Sequence, residues 1–332
     1  MTLGWYVHHH GGGHLTRFAA VRPHIPDSVI CFSTLPEPAS MPADTEWVQL
    51  EPDDELTDPQ QPTAGGLLHW APLGHAPHAR RLALIASVTA ARGISTMVVD
   101  VSAEVTLLAR LLGHRTVVFT QPGIRDDRPH SLAFEAAHRI IAPWPAGVLA
   151  APHLDAVREK VHFVGGISRF DARPRPAAGR SGVLVLGGAG GAVVSSGMIA
   201  AAAASSELPW SMLGAPAQPD LAAQPWVADP WPAITSAEVV VAWAGQNSIA
   251  DLAAAGARAV IVPQPRPFEE QVHTARALAD AGLVVMEPSW PSPERWPDVL
   301  TRAAALHPDW SRWQTAGAAQ RAAAIITETL AA

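Results

Sequence analysis

A chain of 332 residues, 48% hydrophobic and 16% charged, is too long for one comfortable core and too apolar for disorder, so two globular domains are expected. Its net charge of −7 falls on both halves, with 12 basic against 16 acidic residues through Gly165 and 11 against 14 beyond it, which argues against a nucleic-acid binder. No apolar run reaches the roughly 18 residues of a membrane span, no secretory leader is expected, and the lone Cys31 excludes internal disulfides and fits a reducing cytoplasm.

Leu3–Val7 reads as a strand running into His8-His9-His10-Gly11-Gly12-Gly13-His14, with a helix expected from Leu15. Val29–Ser33 is a second strand. Leu35–His78, rich in Pro, His and acidic residues, shows little period and is expected to form long excursions at a functional rim, with disorder as the alternative. A helix over Arg80–Arg92, a strand over Ser95–Val101, a helix over Ala103–Leu112 and strands over Thr116–Thr120, Arg139–Ala142 and Val161–Val164 complete a first series. The Pro/Arg/Gly-rich stretch 166–182 reads as a hinge. A second series opens with Val183–Leu186 and Gly187-Gly188-Ala189-Gly190-Gly191, then an Ala-rich helix, strands over Glu238–Ala242 and Ala259–Val262, and a closing helix over Trp313–Leu330. Alternating strands and helices predict α/β architecture with parallel sheets.

The richest segment is 243–275. The strand ending at Ala242 leads to Gly245, and Asn247 and Ser248 then stand where a helix would start. Free backbone N–H groups there form an anion site. Asp251 lies one turn after Asn247 and is expected on the same face, where a carboxylate could bind ribose hydroxyls. Glu269, Glu270 and Gln271, expected in the exit loop of the next strand, suit sugar hydroxyls; a solvated loop is the other reading. Together these describe a nucleotide-sugar site.

The Gly-rich loops do not make a dinucleotide fingerprint, because Gly188-Ala189-Gly190 lacks the third glycine and no acidic residue follows about 20 positions on. Each permits close approach of a phosphate, or is simply a tight turn. His8-His9-His10 is too short and too well placed to be a tag. Adjacent histidines on an extended segment point to alternate faces, so no metal site is expected there. No H-x-x-x-H, H-E-x-x-H or Asp-x-Asp segment offers another. His14, at the first turn of a helix, can deprotonate an acceptor hydroxyl. Asp100, at the end of its strand, can orient it, unless it caps the next helix, a role for which Ser102 competes.

Gly245-Gln246-Asn247-Ser248-Ile249-Ala250-Asp251, with Ala255-Gly256, Pro263 and Glu270-Gln271, resembles the donor signature of GT-B glycosyltransferases, both the MurG group and the plant and macrolide UDP-sugar transferases. Gly11-Gly12-Gly13-His14, Val99-Asp100 and Gly187–Gly191 are similar to further motifs of that family. The resemblance covers most of 183–286 and the first domain in patches. It implies two Rossmann-like domains facing across a cleft: an acceptor domain 1–165, a hinge 166–182, a donor domain 183–312 and a helix 313–332 crossing back to the first. It further implies an inverting hexosyl transfer from a nucleotide-sugar, UDP-sugar foremost, with His14 as base and Asp100 its partner. Gly12, Gly13, Gly188, Gly190, Gly191, Gly245 and Gln246 would bind the donor, Asn247 and Ser248 its phosphates, Asp251 the ribose, and Glu270 with Gln271 the sugar. No cofactor and no metal are expected. The acceptor, small-molecule or lipid-linked, stays open. Localisation is expected to be cytoplasmic, with peripheral membrane contact also open.

Two positions depart from the pattern: Trp243 replaces a phosphate-binding histidine or arginine, and Thr274 an asparagine. Trp226 to Trp231 could wall the base. Two other readings of the same fold are a UDP-sugar 2-epimerase and a non-catalytic partner subunit that keeps the donor site.

Overall fold

Apolar, β-branched runs build two parallel sheets. A computed structural model describes residues 1–332 except 177–178, 188–193, 215–221 and 226. The first half holds β1 (Thr2–Tyr6), α1 (Gly13–Val21), β2 (Ser28–Ser33), β3 (Thr45–Gln49), α2 (Ala76–Ala91), β4 (Thr96–Asp100), α3 (Ala103–Leu111), β5 (Arg115–Phe119), α4 (Arg128–Ala136), β6 (Arg139–Ala142) and β7 (Val161–Phe163). Its strands lie in the order β3-β2-β1-β4-β5-β6-β7. The second half holds β8 (Val183–Leu186), α5 (Ser196–Ala204), β9 (Trp210–Leu213), β10 (Ala222–Gln224), α6 (Trp231–Ser236), β11 (Val239–Ala242), α7 (Gln246–Ala255), β12 (Ala259–Ile261), α8 (Glu270–Asp280), β13 (Val285–Met286), α9 (Trp296–Ala304) and α10 (Ala318–Ala331). Its order is β10-β9-β8-β11-β12-β13.

Every pairing among the described residues is parallel, as it must be when each strand returns through a crossover. In both sheets the order reverses once, between β1 and β4 and between β8 and β11. At such switch points the loops diverge to opposite faces and open a crevice at the strands' C-terminal ends.

The stretch 35–78, expected to lack period, contains β3 and the start of α2. Side chains fix the rest of it: the His69 and Trp70 amides donate to Glu104 (2.7 and 3.1 Å), and Trp70 Nε1 donates to the Asp53 carbonyl (2.9 Å). The closing helix starts at Ala318, not Trp313, because Gln314 (φ 53) and Gly317 (φ 71) turn left-handed first.

α10 buries Ala318, Ala322, Ile326 and Leu330, one residue per turn, against Trp5, Phe18 and Val21 of the first half. The alanines let the helix lie close, and Ile326 and Leu330 each contribute about 1.5–3 kcal/mol by leaving water. The chain end is thus anchored on the first sheet. Arg321 donates to the Val164 carbonyl (2.9 Å), and Gly166 N to that of Trp313 (3.0 Å). A Cβ at Gly166 would collide with the Trp313 indole. Among the described residues no helix is long and apolar enough to cross a membrane.

Candidate active site

At the first switch point β1 and β4 are neighbours, with Tyr6 beside Val99, so the loop after β1 and the residue ending β4 open on one edge. Gly11 (φ 74) turns the chain and α1 starts at Gly13 behind Gly12. His14 and Asp100 are both buried there, with His14 Nδ1 2.9 Å from Asp100 Oδ1. An ionised carboxylate only accepts, so Nδ1 carries the proton and Nε2 is left with the lone pair. Ser102, not Asp100, caps α3: its Oγ accepts from Val105 N at 3.2 Å. Between them Val101 sits at φ 62, a conformation that costs a β-branched residue on the order of 1–3 kcal/mol and clusters at functional sites.

Sequence reading missed Arg17, which lies three residues after His14 and so on the same face of α1. Its buried guanidinium donates to Asp100 Oδ1 (2.6 Å) and to Gln246 Oε1 (2.6 Å) in the second half. Burial is the largest influence on Asp100 and pushes its carboxyl up, but the charges of Arg17 and His14 and the hydrogen bonds from both hold it below its ordinary value. The carboxylate therefore stays ionised in a buried site.

At the second switch point β11 feeds α7 through Gly245, which caps the helix without a side chain. The first helical bond is Ile249 N to the Gly245 carbonyl (3.0 Å), so the amides of Gln246, Asn247 and Ser248 precede the ladder and carry the helix's positive end. Asn247 Nδ2 donates to the Gly13 carbonyl at 2.8 Å. With the Arg17–Gln246 bond, this brings the N-termini of α1 and α7 face to face across the two halves. Gln246 Nε2 is buried there without a hydrogen-bond partner among the described residues.

Other singled-out residues are placed differently from the sequence reading. Asp251 is buried and turned to the linker, accepting from Ser168 Oγ (2.7 Å) and Arg169 Nε (3.2 Å). A diol could reach it only by displacing them. Burial raises its carboxyl to about 6 in spite of Arg169. Glu270 and Gln271 open α8 rather than sit in a loop, after Phe268 and Glu269 turn left-handed at φ 61 and 51. Gln271 is buried and accepts from Gln264 N (2.9 Å), a contact inside its own loop. Glu270 reaches across to Arg125 Nη2 (3.1 Å); burial raises its carboxyl, with Arg125 opposing. Glu269 is exposed.

Trp243 does not stand at the gap. It packs behind β11 and meets Trp290 edge-on, ring centroids 6.4 Å apart. Thr274 donates back to the Glu270 carbonyl (2.8 Å). Trp231 is buried against Phe170 at 5.0 Å, so it is core rather than a base-stacking wall. Gly188, Gly190, Gly191 and Trp226 lie outside the described residues.

The histidine run also departs from expectation. The chain leaves the sheet after Tyr6 and turns, so His8, His9 and His10 do not alternate; their rings stack with centroids 4.4–5.0 Å apart. Next to Asp100 in sequence, a small and mostly apolar recess is lined by Val101, Phe119, Thr120, Gln121, Arg125 and His130.

Residues 183–295 match the model of the glycosyltransferase family 28 C-terminal domain. Among solved structures the chain is similar to MurG of Acinetobacter baumannii, at 16% identity and TM-score 0.63 over 98% of this chain and 99% of that one. It is similar to Arabidopsis thaliana UGT89C1, solved with UDP-L-rhamnose, at 11% and 0.72 over 99% of each. A Polygonum tinctorium UDP-glucosyltransferase capable of glucosylating indoxyl matches at 14% and 0.67 over 99% of this chain and 97% of that one. Sequence comparison with curated proteins gives no match. The two parallel sheets are those of the GT-B fold, and the family match with that fold supports a glycosyltransferase.

Proposed function

We propose that this GT-B protein, which carries a glycosyltransferase family 28 C-terminal domain at residues 183–295, is an inverting glycosyltransferase taking a sugar from a UDP-sugar to an acceptor hydroxyl. The observation that carries this reading is the His14–Asp100 pair facing the start of α7, which no side chain caps, with Arg17 and Asn247 bridging the two. One side of that gap can take a proton and the other can hold an anion.

In the reaction, His14 Nε2 accepts the hydroxyl proton while the acceptor oxygen attacks the anomeric carbon. The carbon–oxygen bond to the diphosphate breaks on the opposite face, so configuration inverts. Asp100 stabilises the resulting imidazolium. Charge growing on the diphosphate meets the amides of 246–248 and the Gly12–Gly13 turn; dipoles fixed beforehand stabilise it without reorganising. No metal ion is assigned to this step. Glu270, held by Arg125, is suited to donor hydroxyls. UDP is the nucleotide named with the Arabidopsis neighbour. Residues 1–165 would be the acceptor domain and 183–312 the donor domain, working in the cytoplasm.

A thermal-shift series with UDP-, dTDP- and GDP-sugars, followed by NMR of the product anomer, tests this reading. UDP-sugars should raise Tm by mass action and the product should carry the configuration opposite to the donor. No shift with any nucleotide, or retention, contradicts it.

A further inference from the structure

Three consecutive histidines converge beside, but outside, the machinery assigned above. The ligand nitrogens of His8, His9 and His10 all lie within 4.8 Å of one another. The His10 amide donates to His8 Nδ1 (3.2 Å), and Gly11 at φ 74 completes a turn that a Cβ-bearing residue would resist. The contact between the His10 amide and the His8 ring folds the segment back on itself, and the three rings converge. A carboxylate from a distant segment meets them: Asp54 Oδ2 is 3.0 Å from His9 Nε2 and 3.7 Å from His10 Nε2. His9 Nδ1 is buried without a partner. Arg81, whose charge acts on His8, is paired with Asp53, which also pairs with His78 (2.8 Å).

We propose that His8, His9, His10 and Asp54 form a binding site for a borderline divalent transition-metal cation, Zn²⁺ or its analogues. Three imidazoles and one carboxylate are a complete tetrahedral set for zinc and a poor one for Mg²⁺ or Ca²⁺, which prefer oxygen. At zinc–nitrogen distances of about 2.0–2.1 Å the ligand nitrogens stand about 3.3 Å apart. The rings therefore close by an ångström or so, within the reach of side-chain rotation. The site lies at the lip of the cleft, with the His8 and His14 rings 5.6 Å apart. Its ligands are separate from the groups assigned to leaving-group stabilisation, the start of α7 and the Gly12–Gly13 turn, and it does not depend on the proposed transfer.

A second cluster, His69, Asp127 and His130, also brings three ligand atoms within 4.8 Å. There each Asp127 oxygen already takes one imidazole, at 2.9 and 2.5 Å, and Arg125 Nη1 stands 3.1 Å from His130 Nε2. A cation would face that guanidinium, so the His8–His10 cluster is the better site.

The test uses the full chain without an affinity tag, stripped with chelator. It is titrated with Zn²⁺ by calorimetry and with Co²⁺ by visible spectroscopy, in which a tetrahedral site gives strong absorption bands that hydrated cobalt lacks. One equivalent should bind per chain. His9→Ala/His10→Ala, at half-buried and exposed loop positions that do not threaten folding, should weaken it at least tenfold, and Asp54→Asn by a smaller factor. His69→Ala/His130→Ala should leave it unchanged. Absence of stoichiometric binding, binding that survives His9→Ala/His10→Ala, or binding lost only in His69→Ala/His130→Ala would overturn the assignment.

Discussion

The two sheets reverse their strand order in the same way, yet their switch points are made of different material. The first is built from side chains: His14, Asp100 and Arg17, buried and mutually bonded. The second is built from backbone: three amides at the start of α7, capped by a glycine. A base must be one particular titratable group with its tautomer fixed, whereas an anion cradle needs only N–H groups, which almost any residue supplies. Side chains at the second point are thus released for fastening. Asn247 holds Gly13, Asp251 holds the linker, and Gln271 holds its own loop.

That contrast can be broken or sharpened by mutation. Asp100→Asn should cost most, about 10³-fold in transfer rate, because an amide can hold His14 in the wrong tautomer. A loss under tenfold, in steady-state kinetics, would reduce Asp100 to packing. Arg17→Met removes the cation that holds the buried Asp100 ionised and should cost about 3 kcal/mol in urea unfolding. A cost well under 1 kcal/mol would break the side-chain picture of the first point.

Asp251→Asn probes the second. Its folded carboxyl lies at about 6 against an ordinary 3.8. Below the ordinary value both states are protonated and nothing is lost. Between the two the unfolded chain loses its proton first, so stability falls as pH rises, and above the folded value the penalty is constant, roughly 2–3 kcal/mol. The Asn variant should therefore gain on the wild type from about pH 4 to 6 and run parallel beyond. A difference flat with pH would contradict the raised carboxyl of Asp251 and its burial against the linker. Ser102→Ala should cost least, about 1 kcal/mol of stability from the lost α3 cap; an unaltered Tm would reopen the capping role of Asp100.

Much of this was readable beforehand because the signals were local. The run Arg139–Ala142 is β6 to the residue, and the apolar runs behind β1, β4, β8 and β11 stand out because strands buried on both faces need continuous hydrophobicity. β3, at a sheet edge with half-buried side chains, carries no such run. α9 was legible but unread: Trp296, Val299, Leu300 and Ala303 keep helical spacing and are buried. In the site, His14 and Asp100 were findable as residue types at strand exits, and Arg17 by its spacing from His14. What Asp251, Gln271 and Trp243 face was not, because their partners Ser168, Gln264 and Trp290 are set by tertiary packing. The convergence of His8 to His10 escaped because the chain leaves the sheet after Tyr6, so the extended backbone that the alternation rule assumes has already ended.

The central claim, a base on one half working on a donor held by the other, is tested most directly by measuring turnover and UDP affinity together in His14→Ala. Transfer should fall by about 10³-fold or more while UDP binds within a few-fold of wild type. Undiminished turnover, or affinity lost in step with turnover, would contradict the division of labour between the two halves.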